Sequence, residues 1–62
     1  MLNFKDAERI RQERNLSPEQ FSLRLGFSAT AYLKAMQRKR ISRWMAKEIS
    51  QRFGVPLYGK KA

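Results

Sequence analysis

The 62-residue sequence contains no cysteine and no histidine, and only five of its residues are acidic. The first two absences exclude disulfides, thiolate or imidazole metal sites, a cysteine nucleophile and a histidine base. We therefore expect a protein that is not an enzyme and that needs no metal and no cofactor. Apolar runs are no longer than three residues, which argues against a membrane span or a signal-peptide core and favours a cytoplasmic protein.

Glycine and proline are also scarce, at three and two residues, whereas 42% of the chain is hydrophobic. This composition is too apolar for a disordered basic tail, so a folded module is expected. A chain of this length holds one small domain.

The positive charge is concentrated beyond residue 19. Residues 1–19 contain four bases and four acids, whereas residues 20–62 contain ten bases and one acid, so that the net charge of +9 belongs to the second segment. A polyanion is the expected partner of such a surface. The alternative is a solvated basic face that only keeps the protein soluble.

Capping residues divide the chain into four short helices. Ser17 is followed three residues later by Gln20, the spacing of a capping box, and Pro18 stands at the first helical position. Gly26 and Gly54 suit the left-handed conformation that ends helices. The predicted N-caps are Asn3, Ser17, Ser28 and Ser42. The helices are therefore predicted at residues 4–14, 18–25, 28–37 and 43–53.

Helices this short are marginal in water on their own, so their apolar faces must pack together. No segment shows the alternation of a strand. The predicted fold class is a compact all-α bundle of four short helices, or five if the C-terminal residues add one. The predicted core consists of Ala7, Ile10, Leu16, Phe21, Leu25, Phe27, Tyr32, Ala35, Met45, Ile49 and Phe53.

Residues 14–28, RNLSPEQFSLRLGFS, resemble the Cro/repressor-type helix-turn-helix family, also called the XRE family. The family pattern reads Arg, any, Leu, Ser, any, Glu, any, Leu, Ala, any, any, Leu, Gly, Val, Ser. Ile49 and residues 53–55 resemble the end of its fourth helix, so that the resemblance covers residues 7–57. It implies a lambda-repressor-like DNA-binding domain over residues 1–57, with residues 58–62 as a basic C-terminal tail.

The resemblance also implies a function. The protein would be a sequence-specific regulator of double-stranded DNA, a repressor of Cro type that places helix 28–37 in the major groove of an operator. A homodimer on a palindromic operator is expected, or a monomer when the protein is free, although residues 55–62 are not expected to form the fifth helix that often provides the dimer contact in the family.

The positions that match the family's base-reading positions are Ser28, Ala29, Thr30, Leu33, Lys34 and Gln37. Among them, Lys34 suits the O6 and N7 atoms of guanine, and Gln37 suits an adenine edge or a phosphate. The apolar groups of Ala29, Thr30 and Leu33 suit thymine methyl groups. The predicted phosphate-binding residues are Ser17, Gln20, Arg38, Lys39, Arg40, Ser42 and Arg43.

Three departures from the family pattern carry expectations of their own. Ser22 replaces a small apolar residue and is expected to bond to its own helix backbone. Tyr32 replaces an aliphatic residue, so its hydroxyl is expected to reach the surface. Met36 replaces a Glu that pairs with an Arg of the first helix in related repressors, so Arg11 is expected to turn to Glu48 or to a phosphate.

Two other functions stay open. The net charge alone would suffice for a non-specific nucleic-acid binder. An antitoxin-type or antirepressor-type module would instead bind a protein through exposed apolar side chains, for which the candidates are Leu33, Met36, Trp44 and Leu57. Leu33 could also belong to the core or contact DNA. An amphipathic membrane peptide is disfavoured, because the apolar residues are divided among four capped helices.

Overall fold

The computed structural model describes residues 1–58 and folds them into four α-helices joined by short turns. The helices are α1 (Phe4–Glu13), α2 (Pro18–Arg24), α3 (Ala31–Arg38) and α4 (Arg43–Phe53). The described residues contain no strand, so the predicted all-α fold class is confirmed. Lys60 and Lys61 of the predicted basic tail lie outside the described residues. Within residues 1–58, every helix is too short or too polar to cross a membrane.

Three helices begin at the predicted capping residues. At α2, the Ser17 hydroxyl oxygen accepts from the backbone N–H of Gln20 at 3.1 Å, and the Gln20 side chain accepts from the N–H of Ser17 at 3.0 Å. Asn3 forms the equivalent capping box with Asp6. At α4, Ser42 accepts from the N–H of Met45 at 3.0 Å. Each such cap typically contributes about 1 kcal/mol, because it satisfies an N–H that has no partner within the helix.

The prediction for α3 is wrong at its start: the helix begins at Ala31, and Ser28 is not its N-cap. Thr30 stands at the cap position without a side-chain cap bond. The capping oxygen comes from Ser22 of α2, which is fully buried, accepts from the N–H of Tyr32 at 3.2 Å and donates to the carbonyl oxygen of Ser28. Ser22 therefore does not bond to its own helix, as was expected, but joins α2 to the start of α3.

The turn between α2 and α3 needs a glycine at residue 26. Gly26 has φ +84°, a left-handed conformation that costs other residues free energy. A Cβ atom at this position would also lie 3.1 Å from Nη2 of Arg52. Arg52 reaches here from α4 and donates to the carbonyl oxygen of Arg24 at 3.3 Å, at the end of α2. Arg52 thus connects α4 to the turn between α2 and α3.

The core contains most of the predicted residues. Phe21 lies at its centre, with its ring edge-on to that of Tyr32 at 4.8 Å between centroids and stacked on that of Phe53 at 5.3 Å. Phe53 and Phe27 are only partly buried, contrary to the prediction. The prediction omitted Ala46 and Leu2; the backbone N–H of Leu2 donates to the carbonyl oxygen of Leu57 at 2.7 Å. The buried hydrophobic residues are Leu2, Ala7, Ile10, Leu16, Phe21, Leu25, Tyr32, Ala35, Met45, Ala46 and Ile49.

Candidate nucleic-acid interface

The face of α3 that points away from the core carries polar side chains. Tyr32 and Ala35 are buried, and Lys34 and Gln37, which lie on the opposite side of the helix, are exposed. Helical spacing places Lys34 and Gln37 opposite the buried pair. Lys34 supplies an ammonium donor, and Gln37 supplies both a donor and an acceptor. These are side chains that can read the edges of DNA bases.

The other predicted base-reading residues are also accessible. Ser28 and Thr30 are exposed in the turn before α3, and Ala29 is half-buried. Because Ser28 to Thr30 precede the helix, they belong to the turn and not to the first helical residues. Leu33 is half-buried and does not belong to the core, so the interpretation of Leu33 as a core residue is wrong.

Five exposed basic residues, which we call the basic face, lie in α3, in the turn after it and at the first residue of α4: Lys34, Arg38, Lys39, Arg40 and Arg43. Within residues 1–58, the basic residues that form ion pairs are Arg9, Arg11, Arg14 and Arg52, and none of them belongs to the basic face. The charge of the basic face is therefore not neutralised by an acid of the described chain. The first turns of α3 and α4 contain no acid either.

A shallow groove of about 270 Å³ runs between α3 and the start of α4. It brings three predicted base-reading residues, Ser28, Thr30 and Lys34, together with Arg38 and Arg40 of the basic face. The predicted phosphate-binding residue Ser42 lines it too. The groove does not include Ala29, Leu33, Gln37, Lys39 or Arg43, which lie beside it in the chain.

Ser17 and Gln20 lie apart from this groove, at the start of α2. Both are exposed, and their capping box uses only their oxygen atoms as acceptors. The Ser17 hydroxyl hydrogen and the Gln20 amide N–H groups remain able to donate to a phosphate. Glu19, in the same first turn, adds a negative charge that opposes phosphate binding.

A polar network anchors α3 to α1 and corrects two expectations. The Tyr32 hydroxyl does not reach the surface, because it donates to Oε2 of Glu8 at 2.6 Å and the residue is fully buried. Arg11 does not turn to Glu48, as was expected. It donates to both carboxylate oxygens of Glu8, at 2.7 and 3.0 Å, and to the carbonyl oxygen of Leu16 at 2.8 Å.

The network shifts the ionisation of its members. The Arg11 guanidinium, through its hydrogen bonds, holds the pKa of Glu8 below its usual value, although burial opposes this shift. The Glu8 carboxylate in turn raises the pKa of Arg11. Burial, reinforced by the hydrogen bond to Glu8, raises the pKa of Tyr32 far above its usual range. Near neutral pH the network therefore consists of a carboxylate, a guanidinium and a neutral phenol.

Exposed apolar side chains lie on α2 and α4. Trp44 is 67% exposed, as the protein-binding alternative requires, but Met36 and Leu57 are partly buried against the core, which contradicts that part of the prediction. The sequence reasoning gave no role to Leu23, which is 59% exposed. Its position could have been found from α2 itself, because Phe21 and Leu25 define the inward face.

Compared with known protein families, curated proteins and solved structures, the chain gives no match.

Proposed function

We propose that the protein is a sequence-specific regulator that binds double-stranded DNA, a repressor of Cro type that inserts α3 into the major groove of an operator. The observation that carries this proposal is the groove between α3 and α4. There, the side chains of Ser28, Thr30 and Lys34, which can contact the edges of DNA bases, lie beside Arg38 and Arg40. No acidic residue of the described chain neutralises the charge of these two arginines. This combination matches the division of DNA recognition into base contacts and phosphate contacts.

Each part of the face has a separate role in this proposal. Lys34 and Gln37 read bases, because they stand on the outward side of a helix narrow enough for the major groove. Arg38, Lys39 and Arg40, with Ser42 and Arg43 at the start of α4, bind the phosphates on one side. The acid-free first turn of α4 supports this role, because the helix dipole and the N–H groups that Ser42 does not cap favour an anion.

A homodimer on a palindromic operator is part of the proposal. Two subunits would place their α3 helices about 34–36 Å apart, one turn of B-DNA. Occupation of the operator would then block transcription, in the cytoplasm of a bacterial or phage-infected cell.

The proposal is tested by selecting bound duplexes from a random DNA pool and then measuring their affinities by fluorescence anisotropy at one salt concentration. Lys34→Ala and Gln37→Ala are each expected to cost about 1–3 kcal/mol at particular base pairs of the selected site. The matched controls are Lys5→Ala on α1 and Gln51→Ala on α4, both exposed and outside the groove. Equal affinity of the wild-type protein for selected and scrambled duplexes would refute sequence-specific recognition and leave a non-specific nucleic-acid binder.

The exposure of Trp44 and Leu23 favours a second candidate, a module that binds a partner protein as antitoxins and antirepressors do. In that case Trp44→Ala would abolish binding to the partner and leave DNA affinity unchanged. Trp44→Ala distinguishes the two functions, because it should abolish binding to a partner protein, which the DNA-binding proposal does not require.

A further inference from the structure

One residue of α3, Tyr32, attaches that helix to α2 and to α1. Its backbone N–H donates to Ser22 of α2 at 3.2 Å, and its hydroxyl donates to Glu8 of α1 at 2.6 Å. The two bonds act at opposite ends of the residue, one on the helix backbone and one at the tip of the ring. Together they restrict both the start of α3 and its rotation about its own axis.

The acceptor of the hydroxyl is itself held in place. Glu8 receives two hydrogen bonds from Arg11, and Arg11 donates a third to the carbonyl oxygen of Leu16, at the end of the turn after α1. The side chains of Glu8 and Arg11 are only 19% and 14% exposed. By contrast, the ring of Tyr32 meets Phe4 and Phe21 through apolar contacts, which are not directional. Among the contacts of the Tyr32 side chain, the hydrogen bond from its hydroxyl to Glu8 is therefore the directional contact between α1 and α3.

Rotation of α3 matters because its reading residues lie close to Tyr32 in the chain. The side chains of Lys34 and Gln37 reach about 5–6 Å from the helix axis, so a rotation of about 10° would move their tips by about 1 Å. A hydrogen bond to a base edge does not survive a shift of that size. Contacts between flexible Lys or Arg side chains and phosphates tolerate such a shift, because they depend weakly on geometry.

We propose that Glu8 is a positioning residue for DNA recognition: through the Tyr32 hydroxyl it sets the rotation of α3 and so determines sequence discrimination without contacting DNA. This inference rests on the proposed function. It predicts that loss of the bond reduces the preference for the selected duplex and leaves the affinity for scrambled DNA unchanged.

The test compares Tyr32→Phe, which removes the hydroxyl and keeps the ring, with Glu8→Ala, which removes the acceptor. For each, the ratio of affinities for selected and scrambled duplexes is measured at a temperature where circular dichroism shows full folding. We expect each variant to lower the ratio about tenfold, with the affinity for scrambled DNA changed less than twofold. Because the two residues act through one bond, the double variant should lower the ratio no further than either single variant.

Asn3→Ala is the control for general destabilisation, since it removes the cap of α1 and leaves the bond between Glu8 and Tyr32 in place. It should keep the wild-type ratio. A wild-type ratio in Tyr32→Phe and Glu8→Ala, or an equal loss in Asn3→Ala, would overturn the positioning role and leave the proposed function standing.

Amide hydrogen exchange of the free protein provides a measurement that does not depend on DNA. Tyr32→Phe should accelerate exchange in α3 relative to α2, and unchanged exchange in α3 would overturn the positioning role. A wild-type protein that binds every duplex equally would refute the proposed function and the role in discrimination with it, whereas the exchange experiment would still report whether Tyr32 anchors α3.

Discussion

The basic face makes a quantitative prediction about salt. Binding to DNA releases about 0.9 counterions for each phosphate that a protein neutralises, which is the slope of log affinity against log salt. The basic face contains five bases without an acidic partner in the described chain. Lys34 is assigned to a base edge, so four members of the basic face remain for phosphates. If each of these four neutralises one phosphate, the slope is about −3.6 per subunit and about −7.2 for a dimer on its operator. Between about 50 and 200 mM salt, affinity per subunit should then fall about 150-fold.

Lys39→Gln is the perturbation that tests this count, and Lys5→Gln on α1 is its matched control, because both residues are exposed lysines. Anisotropy titrations of a labelled duplex at several salt concentrations give the slope for each protein. We expect about −2.7 per subunit for Lys39→Gln, so that affinity falls only about 40-fold over the same range. Lys5→Gln should keep the wild-type slope.

Two results would refute this reasoning. A wild-type slope of about −2 per subunit or weaker would mean that most of the basic face does not meet phosphates. An equal reduction by Lys39→Gln and Lys5→Gln would mean that the net charge of the whole molecule, and not this face, drives binding.

Four further predictions concern stability and spectroscopy. Lys39 has φ +55° without being glycine, so Lys39→Gly should raise the free energy of unfolding in urea by about 0.5–1 kcal/mol while it weakens DNA binding; a loss of stability would contradict this. Because the pKa of Glu8 is lowered from 4.5, its stabilising effect is present above that pH and lost below it, and the wild type should lose more stability than Glu8→Gln between about pH 6 and pH 3. Because the pKa of Tyr32 is raised in the folded protein, its neutral phenol stabilises the fold below the usual pKa of 10.0, and this stabilisation is lost as the pH rises above that value. In an absorbance titration this tyrosine should therefore ionise only as the protein unfolds. Trp44 is the only tryptophan, and its emission should change on titration with the selected duplex if the start of α4 meets DNA.

The parts of the fold that the sequence predicted well depend on contacts between residues three or four apart. The capping box of Ser17 and Gln20 and the cap of Ser42 join neighbours in the chain, so they could be read from spacing alone. For the same reason α4 has the predicted bounds, and Gly54 ends it with φ +64°. The outward position of Lys34 and Gln37 also followed from helical periodicity.

The errors lie where a distant residue supplies the partner. The cap of α3 comes from Ser22, ten residues before the N–H that it accepts, and this moves the helix start from Ser28 to Ala31. The Tyr32 hydroxyl finds its acceptor 24 residues earlier, at Glu8. Spacing along the chain contains no information about either pairing, because both depend on how α1, α2 and α3 pack.

The sequence by itself therefore determined the number of helices, three of their four starts, most of the apolar residues of the core and the separation of a balanced segment from a basic one. These properties arise from capping, periodicity and composition, which act over one or two helical turns. Only the tertiary structure decided that Lys34, Arg38 and Arg40 share one groove with the turn before α3, and that the Tyr32 residue joins α3 to two other helices. Those arrangements join residues that are far apart in the chain, and packing around Phe21 is what brings them together.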